Sequence, residues 1–261
     1  MPDGKLKIDA RRKKILEILR KDGQVSVSDL SRILNATVVT IRNDLGELDR
    51  DGYLQRVKGG AVQTVKNFYN HDFQLRRQEN IDVKKKIAAA AAALINDGET
   101  LLINSGSTTY LTAVELKWHK NLNIVTNSLA VAVELDMQPS FRVILLGGEI
   151  NAQYSFTYGY DAQEQIKRYK ADKAILSIDG ICPEYGLTTY HAEEAVVDDL
   201  MIGRARETIV VGDSGKYGHE SFSRVAHIDK VHYWVTDGDL SEEAVGSFDR
   251  YGIKIVVTEN G

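Results

Sequence analysis

"TVVTIRNDLGELDRDGYLQRVKGGA", residues 37–61, opens on a threonine able to cap a helix and closes on a Lys-Gly-Gly turn among basic residues. After Thr37, the residues Val38, Ile41, Leu45 and Leu48 recur on one helical face until Gly52 ends the pattern. The opposite face carries Thr37, Val39, Thr40, Arg42 and Asn43, gathered toward the N-terminal end. A recognition helix meets base edges there. Arginine can grip guanine O6 and N7 with two hydrogen bonds, asparagine can do the same at adenine N6 and N7, and Val39 and the threonine methyls suit a thymine methyl. Past the helix, "YLQRVKGGAV" reads as two short strands about Gly59-Gly60, a wing that places Arg56 and Lys58 to touch phosphate. The helix pattern taken alone also fits a three-helix packing module whose polar face stays wet.

Upstream, "IDARRKKILEILRKDG" sets Ile8, Ile15, Ile18 and Leu19 near one face and stops at Gly23. "SVSDLSRIL" follows, with Ser26 and Asp29 spaced as in a capping box and Leu30, Ile33 and Leu34 expected inward. "NAT" then turns into the third helix, so the order is that of a helix-turn-helix.

Charge agrees with this division. Residues 1–65 hold 13 Lys/Arg against 9 Asp/Glu, net +4, whereas the remainder holds 20 against 28, net -8. A basic reader of nucleic acid joined to an acidic unit with another task would show that split, since phosphate binding needs local positive charge. The 261 residues, 43% of them hydrophobic, suffice for two domains. No apolar run approaches the roughly 20 residues that span a bilayer, and the N-terminus lacks a secretory apolar stretch, so a cytoplasmic protein with no membrane partner is expected. The single cysteine, Cys182, excludes an internal disulfide and a multi-thiolate zinc site, and the six histidines show no ligand spacing. Neither a metal nor a cofactor is expected.

The stretch from Arg11 to Ala61 resembles the DNA-binding domain of the DeoR family of bacterial transcriptional regulators, with its T-I-R-R-D-L helix, L-x-x-x-G-x-L continuation and R-x-x-G-G-A wing. Here these read Thr40-Ile41-Arg42-Asn43-Asp44-Leu45, Leu48 to Leu54, and Arg56-Val57-Lys58-Gly59-Gly60-Ala61. Asn43 stands where the family usually has a second arginine, which alters the inherited operator preference at that contact.

Residues 66–82 mix aromatics and charges and read as a linker between a winged helix-turn-helix domain at 1–65 and an α/β domain at 83–261. From "IDVKKKIAAAAAALI" to "YGIKIVVT", apolar strand runs alternate with helical segments, which predicts a mostly parallel, doubly wound sheet. Ligands bind such sheets beyond the carboxyl ends of the strands. Five polar tips fall at those ends. "NSGSTT" brings Ser105, Gly106, Ser107, Thr108 and Thr109 to the start of a helix, where backbone N–H groups and hydroxyls can surround a phosphate. "TNS" supplies Thr126, Asn127 and Ser128; "LGG" supplies Gly147 and Gly148; "SIDG" supplies Asp179 and Gly180; "GDSGKYG" supplies Asp213 and Lys216. Together they suit a phosphorylated sugar, with Lys216 as counter-charge and Asp179 or Asp213 accepting from sugar hydroxyls.

Residues 84–237 resemble the DeoR-family sensor domain, matching its G-T-T-T loop at Gly106 to Thr109, its T-N-S, its L-G-G, its G-L-T at Gly186-Leu187-Thr188 and its D-S-S-K-F-G at Asp213 to Gly218. The resemblance implies that these are effector-binding elements, that the chain represses a carbohydrate-catabolic operon, and that its partners are double-stranded operator DNA and a phosphorylated sugar. Since one reading unit is too small for a specific site, a homo-oligomer, dimer or tetramer, is expected. That sensor fold is also similar to ribose-5-phosphate isomerase. The alternative is therefore a sugar-phosphate isomerase-like enzyme, for which Asp179, Glu193 and Glu194 are candidate bases. Glu193 and Glu194 are otherwise explained as charges at a helix start and on the surface, and His191, Trp118 and Trp234 as packing or loop residues.

Overall fold

The computed structural model describes residues 10–50, 53–62, 76–152, 154–238 and 240–258; Ile8, Gly52 and most of the expected linker lie outside them. The chain divides into two compact units between residues 72 and 73.

In the first unit, α1 (Ala10–Asp22) stops where Gly23 adopts a φ of +72° and donates its N–H to Leu19 O at 2.8 Å. Helix α2 (Val27–Ile33) starts at Ser26, whose Oγ accepts from Asp29 N at 3.0 Å, the cap expected from the spacing, and donates to Asp29 Oδ2 at 2.7 Å. Left-handed Asn35 turns the chain, and Thr37 Oγ1 accepts from Thr40 N at 3.2 Å to open α3 (Val38–Arg50). Ile15, Leu19, Leu30, Ile41, Leu45 and Leu48 share one core with Leu54 and Ala61. Two residues expected inward are not there: Ile33 is 57% exposed and Val38 is 40% exposed. At ~100° per residue Ile33 lies about 60° from Leu30 and about 100° from Leu34, toward the edge of the buried face, and Val38 sits at the first residue of α3, ahead of the turn that packs.

The expected hairpin forms as β2 (Gln55–Val57) and β3 (Gly60–Val62), linked by Lys58 and Gly59, the latter at a φ of +88°. A third strand, β1 (Gln24–Ser26), pairs with β3 and makes it central. A Cβ on Gly60 would stand 1.9 Å from Val25 O, so β1 can lie against this wing only because residue 60 has no side chain.

The second unit is built on seven strands: β4 (Thr100–Ile103), β5 (Asn123–Thr126), β6 (Arg142–Leu145), β9 (Ala171–Ser177), β12 (Ala205–Val211), β14 (Tyr233–Asp237) and β15 (Lys254–Thr258). They run parallel in the order β15-β14-β12-β9-β4-β5-β6. Leu101 and Ile103 of β4 face one core with α4 (Ile81–Ala92), α5 (Ser107–Glu115) and α6 (Leu129–Leu135). Leu102 between them faces the other, with α7 (Tyr160–Ile166), α8 (Ala192–Arg204) and α9 (Glu242–Asp249). The sheet is therefore doubly wound, as strand–helix alternation predicts. Two smaller pieces flank it: a hairpin of β7 (Glu149–Asn151) with β8 (Phe156–Tyr158), and an antiparallel sheet of β10 (Gly180–Cys182), β11 (Gly186–Thr189) and β13 (Ser223–Ala226). Strand order reverses between β4 and β9, and the two connections that leave this pair diverge to open a crevice at their carboxyl ends.

Candidate functional site

Arg42 and Asn43 project from α3 into solvent, as do Thr37 and the 65%-exposed Val39. Thr40 is half-buried, and its Oγ1 lies 2.9 Å from Thr37 Oγ1, so these two hydroxyls also cap the helix. Arg56 and Lys58 are exposed on the wing, where Arg56 N donates to Asp49 Oδ1 at 3.1 Å and ties the wing to α3. Asp44, inside the same motif, faces inward at 2% exposure and binds Arg11 Nε at 2.6 Å and Arg12 Nε at 3.2 Å. Burial pushes its carboxyl up, but the two guanidinium groups outweigh this and hold it below the usual range. Asp44 thus clamps α3 to α1 and fixes which face of α3 stays outside.

In the second unit a cleft opens at the switch point. Ser105, Gly106 and Ser107 line it from the end of β4, and Ser177 and Asp179 from the end of β9. A Cβ at Gly106 would meet Ser177 Cβ at 2.5 Å, so glycine lets the two tips close on each other. Asn104 locks them, donating to Ser177 O at 2.9 Å and accepting from Ser177 N at 2.9 Å. Ser107 begins α5, whose first N–H groups point to the cleft with the positive end of the helix dipole.

The other sequence candidates lie in the surrounding turns. Thr109 Oγ1 donates to Asn104 O at 3.0 Å, and Thr108 is buried beside it. Thr126 Oγ1 donates to Ile103 O at 2.6 Å, Asn127 Nδ2 donates to Thr157 O at 3.3 Å, and Ser128 Oγ caps α6 by accepting from Val131 N. Gly147 N donates to Gln165 Oε1 at 3.0 Å, while Gly148 and Gly180 sit where a Cβ would strike Tyr158 O and His219 O. Asp213 precedes the short turn Ser214–Lys216. Lys216 does not line the cleft, yet its charge lowers the Asp179 carboxyl.

Arg76, Tyr154, His191 and Glu194 also line the cleft, along with Ile178 and Thr189, and none of these was among the effector residues read from the sequence. Arg76 falls within the expected linker; its Nη2 donates to Asp179 Oδ1 at 2.9 Å. Asp179 also accepts from Tyr190 N at 2.9 Å and Thr189 Oγ1 at 3.2 Å. Burial drives its carboxyl up, but the Arg76 and Lys216 charges and these donors prevail, leaving it lowered. His191, expected as a packing or loop residue, stands edge-on to Tyr154 with ring centroids 4.3 Å apart. Trp234 is a packing residue as expected, against Tyr217 and Phe248.

The expectation of Glu194 as a surface charge is corrected. It is 8% exposed, with Oε2 3.2 Å from the Thr189 hydroxyl, whereas Glu193 is exposed. Behind it Asp198 is fully buried and bonded to Asn104 Nδ2 at 2.9 Å. Burial, then the neighbouring carboxylates Asp198 and Asp179, push Glu194 well above the carboxylate range. Burial likewise takes Asp198 to about 8. The cleft therefore offers an arginine, a helix N-terminus and hydroxyls to an anion, and the carboxyls of Asp179 and Glu194 to hydroxyls.

A recognition helix with a wing, joined to a doubly wound unit carrying such a cleft, defines a two-domain DNA-binding transcriptional regulator. The DeoR-like helix-turn-helix domain family matches residues 11–66 and the DeoR C terminal sensor domain family residues 79–238, so the chain belongs to the DeoR family of transcriptional regulators. It is 30% identical to the HTH-type transcriptional regulator GolR of Listeria innocua over 95% of this chain and 98% of that one. It is 31% identical to the glycerol-3-phosphate regulon repressor of Escherichia coli over 89% and 92%, respectively. A ribose 5-phosphate isomerase from Methanocaldococcus jannaschii superposes on 53% of this chain and 55% of its own, with 20% identity and a TM-score of 0.39. The isomerase alternative gives way to the regulator, since the family and its named members are regulators and the first unit reads DNA. Among the described residues no helix is long and apolar enough to cross a membrane.

Proposed function

We propose that this chain is a cytoplasmic repressor of a carbohydrate-catabolic operon, holding operator DNA through Arg42, Asn43 and the wing and responding to a phosphorylated sugar bound at the cleft. The observation that carries the effector reading is the convergence of Arg76, the α5 N-terminus at Ser107, and Asp179 at the switch point of the sheet. An anion and several hydroxyls in one small molecule match those groups together. The name of the Escherichia coli glycerol-3-phosphate regulon repressor, which shares both units, supports a phosphorylated effector.

The test is a thermal-shift screen of sugar monophosphates against the corresponding free sugars. A ligand of the folded state at a hundredfold excess over Kd adds about 2.7 kcal/mol of stability. Stabilisation by a phosphorylated sugar and not by its free form, together with a change in operator affinity, is expected. Equal stabilisation by both forms, or none by any phosphate, would remove the effector assignment.

A further inference from the structure

Arg76 is the first described residue on the sensor side of the connection from the DNA-reading unit, in a helical turn at 76–78 ahead of α4. This turn is fastened at three points. The Arg76 guanidinium pairs with Asp179, its backbone carbonyl accepts from the buried Lys84 ammonium of α4, and Arg77 stacks 3.8 Å from the Tyr110 ring centroid on α5. Two of the three holds therefore belong to elements that close the cleft or begin at it, and the first lies inside it.

The Arg76–Asp179 pair is also built to be exchanged. Asp179 keeps two donors without the arginine, Tyr190 N and Thr189 Oγ1, and Lys216 adds positive charge nearby, so removing the guanidinium does not strand a buried carboxylate. The guanidinium itself sits on the cleft wall with Ser105 and Ser107, where an anion at the α5 N-terminus would come within its reach. A phosphate offers it the bidentate geometry that a carboxylate already satisfied by other donors does not need.

We propose, resting on the reading of the cleft as the effector site, that Arg76 is the phosphate-binding residue of the sensor and its switch: the guanidinium leaves Asp179 for the ligand's phosphate. Occupancy then changes how the chain leading to the DNA-reading unit is held, because the residue that binds the anion lies on that chain.

Inorganic phosphate, with sulfate and chloride at matched ionic strength as controls, is the probe on the full-length protein. Its dissociation constant is measured by calorimetry for wild type, Arg76→Ala, Arg76→Lys, Asp179→Asn and Ser107→Asp, with circular dichroism to verify folding. Operator affinity with and without phosphate is compared within each variant. Arg76→Ala is expected to weaken phosphate at least tenfold, with partial recovery in Arg76→Lys. Asp179→Asn is expected to tighten phosphate several-fold, since it removes the anion that competes for the guanidinium. The phosphate-dependent change in operator affinity should vanish in Arg76→Ala.

Ser107→Asp puts a carboxylate at the α5 N-terminus and separates the two hypotheses. If it leaves phosphate binding unchanged, or if wild type binds no phosphate, the cleft is not the effector site and the switch falls with it. If Ser107→Asp abolishes binding but Arg76→Ala keeps wild-type affinity, the cleft reading stands and the Arg76 proposal is overturned. Weaker binding in Asp179→Asn would likewise overturn the exchange.

Discussion

Asp198 is fully buried behind the cleft, with one carboxyl oxygen bonded to Asn104 and the other, Oδ1, without a hydrogen-bond partner among the described residues. An ionised carboxylate there would be costly, which is why burial raises its pKa to about 8. In the unfolded chain an aspartate ionises near 3.9, so between roughly pH 4 and pH 8 the native state binds a proton that the unfolded state has released. Its stabilising effect is complete below the unfolded value and is lost as pH rises through the folded one, by at most about 1.4 kcal/mol per pH unit. Asp198→Asn keeps an acceptor for Asn104 without the titration. The variant should match wild type near pH 4 and melt several degrees higher at pH 8; parallel melting curves across that range would show that Asp198 is ionised in the native protein. On the DNA side, Arg42→Ala should cost about 1–3 kcal/mol on the operator and blunt sequence preference, while Lys58→Ala should weaken all DNA alike and flatten the salt dependence. Asn43→Arg should move the preferred base at one position per half-site. Selection from a randomised operator pool measures all three, and equal losses for Arg42→Ala and Lys58→Ala on specific and random DNA would remove Arg42 from base reading.

At the scale of elements, the cap at Ser26 and the αL glycine at Gly23 were legible because each is a local bargain between neighbours in sequence. Strand β1 was not. Three residues carry no period, and Gln24–Ser26 is extended only because β3, some 35 residues on, pairs with it. The inward place of Asp44 was hidden for the same reason: its partners Arg11 and Arg12 lie one helix away. Gly60 joins the two levels, since it was read as a turn residue and is in fact a contact between strands. Gly60→Ala should therefore push β1 off the wing and destabilise the first unit by about 1–3 kcal/mol, leaving the sensor unit unchanged. Scanning calorimetry that finds one transition lowered and the other fixed would bear this out, whereas an unaltered thermogram would mean that the sheet accommodates the methyl.

At the scale of the whole molecule, alternating strands and helices foretold a doubly wound sheet but not its order, because adjacency of β9 and β4 arises from a chain reversal that no local pattern records. Five strand tips looked equivalent in sequence. Only those of β4 and β9 line the cleft, where the order reverses, while Thr126, Asn127, Gly147 and Gly148 hold neighbouring turns together. Arg76 escaped notice because it sits in a stretch of mixed composition, and Glu194, named in sequence only as a candidate base or a helix-start charge, was not placed at the effector cleft because carboxylates are ordinary at a helix start. Scale also bears on how the regulator finds its operator. Each chain presents a single α3 and a single wing, a contact on the order of 600–1,000 Å², which is small for a specific site at physiological salt. Two or more protomers should therefore bind half-sites spaced by about 10 base pairs or a multiple of it. Light scattering on the full-length protein should give a dimer or larger, and scrambling one half-site should reduce affinity far more than the loss of its own contacts. A strict monomer that binds one half-site with full operator affinity would show that a single α3 and wing suffice.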